Sequence, residues 1–363
     1  MISWTKRAAL TAAVGAALAA AAAPTQAQSP AEFFKGKTVT INIGYGPGGG
    51  YDTYARVIAS HIGRHIPGNP SVNSRNVPGA GSIKLANQLF AVSPKDGTAT
   101  GMIGDVLALK QALGQKGIQF KADQFNWIGR ISDSNPLLIV WHTSPVETFE
   151  DAKKTSIPIG VPGAGSATTL NITAINNILG TKFRLISGYG GSAEIKLALE
   201  RGEVQGTGSV LWELLKTQHK DWLEQKKIRI LYQVAIQKQP DLPDVPSIIE
   251  LGRTDEDKRL LRLFSSYTVV GRSLLVPPGV PKDRVVALRD AFAAMMKDPA
   301  LKKELADRNL ESAYMSGADL QTFMEEIASL PAPLLERARA VSDIKVEKRK
   351  GAKGKKNKKA GGN

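Results

Sequence analysis

The chain has 363 residues, 42% of them hydrophobic and 22% charged, with a formal charge of +15 and no cysteine. That length suits two domains of ordinary size, each able to bury a core. The missing thiols exclude disulfides, thiolate metal centres and a cysteine nucleophile. The positive charge is concentrated at the ends: Lys6 and Arg7, with nine Lys/Arg against one acid over 345–359, supply ten of the fifteen units.

In chain order, residues 1–27 read as a secretory signal peptide. Lys6 and Arg7 precede an alanine-rich apolar run over 8–23, and Thr25-Gln26-Ala27 places small residues at a cleavage site. That run is too short and too weakly apolar to span about 30 Å of hydrocarbon. Cleavage near Ala27 and a periplasmic product are therefore expected. An exported protein meets little nucleic acid, so no nucleic-acid partner is expected. The Lys-rich tail over 343–363 cannot bury an apolar face and reads as disordered, either solvated or drawn to a membrane surface.

From residue 37 onward, short β-rich runs alternate with helical patterns. TVTINI (38–43) ends in a glycine cluster, and Ala55, Ile58, Ala59 and Ile62 then recur at helical spacing. SVNSRNV (71–77), a helix from about Ile83 to Phe90 and a strand around 99–103 follow. The alternation predicts a parallel sheet with right-handed crossovers. It restarts with PLLIVWH (136–142), a helix over 146–154, IPIGV (157–161), a helix over about 169–179, FRLISGY (183–189), a helix over 193–201, VQGTGSV (204–210) and IRILYQVA (228–235). YTVVGRSLLV (267–276) reads as a returning strand. Pro281 then opens a long helix over about 282–297, and shorter amphipathic helices follow to residue 341, packing back on the first domain.

The chemistry lies in glycine-rich turns at 46–50, 79–81, 163–166 and 190–192, each between a strand and a helix. Glycine bares the main chain to a ligand, and amides at a helix N-terminus favour an anion. Ligands in open α/β sheets bind outside the carboxyl ends of the strands. Gly44, Gly46 and Gly49 also satisfy a dinucleotide fingerprint, but no acid stands between Asp52 and Asp96 to hold a ribose, and Pro47 interrupts the motif. No nucleotide or other cofactor is expected. For Asp52 two roles remain open: capping the next helix through the amide of Tyr54 or Ala55, or accepting from a hydroxyl or ammonium of a ligand.

The motifs GPGGGYD (46–52), NVPGAGS (76–82), SPKDGTATG (93–101), GVPGAGSATT (160–169), ISGYGGSAE (186–194), PDLPDVPSIIELG (240–252) and VPPGVP (276–281) run in an order that resembles the Bug/TctC family. These are substrate-binding components of tripartite tricarboxylate transporters. The resemblance implies a two-domain, type II-like periplasmic binding-protein fold, α/β, with a hinge and a ligand cleft between domains. It implies domain 1 over 28–132 and 256–342 and domain 2 over 133–255. It further implies a monomer that binds a small organic acid and serves integral membrane transporter subunits. Carried over, the ligand contacts are Tyr45, Gly48, Gly49 and Gly50, then Ala164, Gly165, Ser166 and Ala167, flanked by Tyr189, Gly190 and Gly191, with Asp52 beside them. Tyr51 stands where the family commonly has Thr, and Thr168-Thr169 where a His is frequent.

Other candidates are weaker. His61 and His65 have a metal-compatible i, i+4 spacing but no third ligand nearby, and read as packing residues. Trp127, Trp141, Trp212 and Trp222 read as core or rim. There is no G-x-S-x-G, H-E-x-x-H or P-loop, and no base for Ser166, so a binding protein is expected over an α/β enzyme. A ligand sensor of the same fold is not separated from a transport receptor by sequence.

Overall fold

The computed structural model describes residues 28–162, 166–189, 192–343 and 345–349. The signal-peptide reading over 1–27 and most of the tail lie outside them. In chain order the first lobe comprises α1 (Pro30–Phe34), β1 (Thr38–Ile43), α2 (Gly50–Ile62), β2 (Ser71–Asn76), α3 (Ile83–Ala91), β3 (Ala99–Met102), α4 (Leu107–Ala112) and β4 (Asn126–Ser132). The second comprises β5 (Pro136–Trp141), α5 (Phe149–Lys154), β6 (Ile157–Gly160), α6 (Ala167–Leu179), β7 (Phe183–Ser187), α7 (Ser192–Glu200), β8 (Gly206–Leu211), α8 (Trp212–Gln218), α9 (Lys220–Glu224) and β9 (Ile228–Gln233). The chain continues through α10 (Asp255–Val270), β10 (Arg272–Val276), α11 (Lys282–Lys297), α12 (Pro299–Asp307), β11 (Met315–Ser316), α13 (Gly317–Ala328), α14 (Ala332–Val341) and β12 (Val346–Lys348).

Two six-stranded sheets result, ordered β11-β4-β10-β3-β1-β2 and β12-β7-β6-β8-β5-β9. In each, the strands that precede glycine turns are parallel: β1 with β2 and β3, and β6 with β7 and β8. Their carboxyl ends therefore lie at one end of each sheet, where the loops into α2, α3, α6 and α7 begin. Strand β1 is sealed by α2, whose Tyr54, Ala55, Val57, Ile58 and Ile62 form its buried stripe.

The stretch Tyr267–Val270 is helical, not the start of a strand. Thr254 and Asp257 form a capping box, and Leu260, Leu263, Phe264, Tyr267 and Val270 then continue one buried helical face. The β-branched run Thr268-Val269-Val270 is overridden by that packing, and Gly271, at φ +48°, ends the helix before β10.

Three expectations about the C-terminal half change. Val270, at the end of α10, packs with Trp127 and Leu275 of the first lobe, but Leu260, Leu261, Leu263, Phe264 and Tyr267 join the core of the second with Ile172, Ile175 and Val234. Helix α14 does likewise through Ala338 and Val341, and Asn177 Nδ2 donates to the Val341 carbonyl at 2.9 Å. The tail is not irregular from residue 343: β12 pairs in parallel with β7, Val346 packs on the second core, and Glu347 meets Arg184 at 3.1 Å. A strand edge with free donors and acceptors captures this segment despite its lysines. No helix among the described residues is long and apolar enough to cross a membrane.

Candidate functional site

The first glycine turn is built around Asp52. Its carboxylate accepts from the Gly48 amide at 3.0 Å, from Asn76 Nδ2 at 2.8 Å and from Arg56 Nε at 2.9 Å. Asn76 Nδ2 also reaches the Tyr45 carbonyl at 3.0 Å, so the end of β2 is tied to both sides of the turn. The hydrogen bond from Arg56, helped by those from Gly48 and Asn76, outweighs burial and holds the Asp52 carboxyl down to about 2. These partners differ from the expected amides of Tyr54 and Ala55. Gly49 is the N-cap of α2, and no side chain caps that end. Gly48 takes φ +82°, which turns the chain into the helix. Tyr45, Gly48, Gly49, Gly50 and Asp52 therefore form one cluster at the start of α2.

Beside them stands a group that sequence reasoning missed. The rings of Tyr45 and Tyr51 stack at 4.3 Å between centroids, and the Arg272 guanidinium lies 4.3 Å over the other side of Tyr51. Arg272 Nη1 is 3.5 Å from Asp105 Oδ2, and the Asp105 amide donates to Tyr51 Oη at 3.0 Å. Burial, reinforced by Asp105, pushes the Tyr45 and Tyr51 hydroxyls above their usual range. Burial also raises the Asp105 carboxyl, against the pull of Arg272. Burial works against the Arg272 charge, yet Tyr51 and Asp105 lead a set of neighbours that hold its pKa above the ordinary value. These residues come from three distant segments, and only the unusual Tyr51 was a visible signal.

In the second lobe, Ser166 is the N-cap of α6. Its Oγ accepts from the Thr169 amide at 3.1 Å and lies 2.9 Å from Thr169 Oγ1. Ala167 opens that helix. Ala164, Gly165, Gly190 and Gly191 lie outside the described residues. The Tyr189 ring is buried with Leu137, Ile139 and Ile195, and Arg349 lies 5.1 Å over it.

The lobes meet where α8 approaches the first lobe. Lys216 Nζ is 3.6 Å from Glu311 Oε1 and 2.8 Å from Asp241 Oδ2. Nearby, burial raises the Glu213 carboxyl to about 7, assisted by Glu311 and Asp133 and opposed by its own amide and Arg272. Asn171 of α6 donates to the Phe264 carbonyl of α10 at 3.2 Å. An apolar hollow of about 460 Å³ is lined by Leu263, Phe323, Ile327 and Leu334 and by none of the described glycine-turn residues.

His61 and His65 pair with Glu304 and Asp298, as packing groups. Among the described residues no group of three or more His, Asp or Glu could hold a metal ion. Trp127 and Trp222 are buried, whereas Trp141 and Trp212 are partly exposed.

Two α/β lobes, each with helix N-termini gathered at the carboxyl end of its sheet, define a two-domain solute-binding protein. The chain belongs to the tripartite tricarboxylate transporter family receptors, TctC, whose profile matches residues 54–338. It is 28% identical over 333 residues to the UPF0065 protein in gbd 5'region of Cupriavidus necator, covering 90% of this chain and 94% of that one. The fold is shared with a TctC solute-binding protein from Polaromonas, at TM-score 0.62, 21% identity and coverage of 84% and 97% of the two chains. An R. palustris protein solved with adipate matches at TM-score 0.60, 22% identity and coverage of 86% and 99%. MatC from Rhodopseudomonas palustris, with bound malate, matches at TM-score 0.59, 19% identity and coverage of 85% and 99%.

Proposed function

We propose that this protein is an exported receptor that binds a small organic carboxylate between its lobes, as a monomer, and delivers it to the membrane subunits of a tripartite transporter. The observation that carries the reading is the prebuilt first turn. Asp52 spends its lone pairs on Gly48, Asn76 and Arg56, so the uncapped N-terminus of α2 is offered to an anion from outside. A charge-assisted bond to such an amide contributes on the order of 1.5–3 kcal/mol. The N-terminus of α6, capped at the Thr169 amide by Ser166, supplies a second helix end, and closure of the lobes about α10 would bring both to one guest.

Relatives of the same fold bound to adipate and malate support a carboxylate guest, and the leader-like residues 1–27 support export. Binding is favoured over catalysis because Ser166, the hydroxyl of the first glycine turn of the second lobe, is engaged as a helix cap with Thr169 and has no histidine partner among the described residues. The test is a thermal-shift and calorimetric panel of organic acids. A ligand at about 100 times its dissociation constant adds roughly 2.7 kcal/mol. A panel of mono-, di- and tricarboxylates without a single stabilising member would refute the reading.

A further inference from the structure

We infer that the apolar hollow at the seam between the two cores is a second ligand site, one that takes a free aliphatic chain ending in a carboxylate.

The hollow lies where two hydrophobic cores stop short of each other. Leu263 of α10 belongs to the second-lobe core, and Ile327, Leu330 and Leu334 pack against that core from α13, the turn after it and α14. Phe323, one turn before Ile327 on α13, packs instead against the first-lobe core, which Leu320 and Met324 of the same helix enter beside Trp127. The seam therefore runs along α13. Ile236, from the chain that leaves β9, supplies another apolar wall. Pro331 and Pro333 line the end where α14 begins, and their fixed φ stiffens it.

The space amounts to about 460 Å³, inside the roughly 300–1,000 Å³ of small-molecule sites. Phe323, Ile327, Leu330 and Leu334 are each only partly buried. Four neighbouring side chains thus keep apolar surface in water, and an alkyl chain laid among them would remove it.

The rim decides the charge of the guest. Arg259 and Arg262, one turn apart on α10, line the hollow and have no acidic partner among the described residues. Two acids line it as well. Glu256 lies 3.6 Å from Arg337, which leaves Glu326 to oppose two guanidinium groups. The balance favours an anion, and a flat guanidinium fork matches a carboxylate. Both arginines are exposed, so their forks can turn to a head group at the mouth while their stems lie along the apolar wall. None of the described glycine-turn residues lines the hollow, so this site and the proposed cleft fill separately.

The experiment titrates the purified full chain calorimetrically with octanoate, 1-octanol and octylammonium, which share a chain and differ in head charge. Octanoate is expected to bind one site per chain, at least about fivefold more tightly than octylammonium, the worth of exposed charge pairs. Arg262→Glu should erase that preference. Leu330→Asp, which puts a charge against the alkyl chain, should weaken octanoate at least about tenfold. Gly49→Val should bind octanoate as the wild type does. Thermal melts of each variant establish that it folds, and if Leu330→Asp does not, Arg262→Glu decides. Failure of octanoate to bind, or equal affinity for octylammonium, overturns the inference. Octanoate lost in Gly49→Val but kept in Leu330→Asp overturns it by placing the acid at the first glycine turn. Association with phosphatidylglycerol vesicles without binding of free octanoate gives the hollow to a bilayer, and a sedimenting dimer split by Leu330→Asp gives it to a second copy; either overturns it. The reading of the cleft is tested apart, by its own panel of short carboxylates.

Discussion

Gly44 and Ser82 are pressed together: a Cβ on Gly44 would fall 1.7 Å from Ser82 Oγ. That same Oγ accepts from the Gly104 amide at 3.1 Å. One serine therefore joins the loops that follow β1, β2 and β3. Gly44→Ala is expected to pry these loops apart and destabilise the protein by about 1–3 kcal/mol, the usual cost of overpacking. Urea denaturation reads this directly, and a wild-type midpoint would show that the contact yields freely.

Gly49 contrasts with Gly44, because no heavy atom lies within 4 Å of the position its Cβ would take. Gly49→Val should fold with a melting temperature close to wild type yet lose ligand affinity, since the new side chain stands over the amides of α2. Retained affinity by calorimetry would remove this turn from the site.

Asp52→Asn removes the charge that gathers Gly48, Asn76 and Arg56. A loss of about 1–3 kcal/mol is expected for a buried hydrogen-bonded group. In the wild-type chain the folded carboxyl titrates at about 2 against an ordinary 3.8. A depressed acid stabilises the fold above its ordinary value and loses that contribution as pH falls through about 2. Acid unfolding profiles of the two proteins should therefore converge below pH 3. Parallel profiles would contradict the assignment.

Glu213 has the opposite sign. Burial raises its carboxyl from 4.5 to about 7, so the folded chain keeps a proton that the unfolded chain releases. Its contribution is present below pH 4.5 and is lost as pH rises through about 7. The melting temperature should drop by roughly 3–5 °C between pH 5 and 8 from this group, and Glu213→Gln should flatten that slope. Identical slopes would place Glu213 in solvent.

Truncation after Ser342 removes β12 with its Arg349–Glu203 and Glu347–Arg184 pairs, at 2.8 and 3.1 Å. Exposed pairs contribute little, so a loss of about 1 kcal/mol or less is expected, without change in ligand affinity. A large fall in affinity would give the extension a part in binding.

Much of the architecture was legible in the chain because its causes are local. The two rounds of strand, turn and helix follow from hydrophobic spacing, and the anion-friendly turns from glycine runs between them. The Asp52–Arg56 pair, though an i, i+4 neighbour relation on one helix, was not read there: the cap expected of Asp52 ran to the amides of Tyr54 or Ala55. By contrast, Tyr267–Val270 carries β-branched residues that read as strand, and only the buried face it continues from Leu260 made it helical.

What tertiary structure alone decided is which distant residues share a place. Tyr51, Asp105 and Arg272 sit on three segments with no common motif, and they meet because β10 inserts between β3 and β4. Tyr189 reads like a rim residue beside its glycines, yet the α7 face drew its ring inward. The capture of Val346–Lys348 by β7 likewise depended on an open edge elsewhere in the fold. Spacing along a chain determines hydrogen bonds within a few residues; the order of strands in a sheet determines the rest, because it sets which side chains are buried against one another.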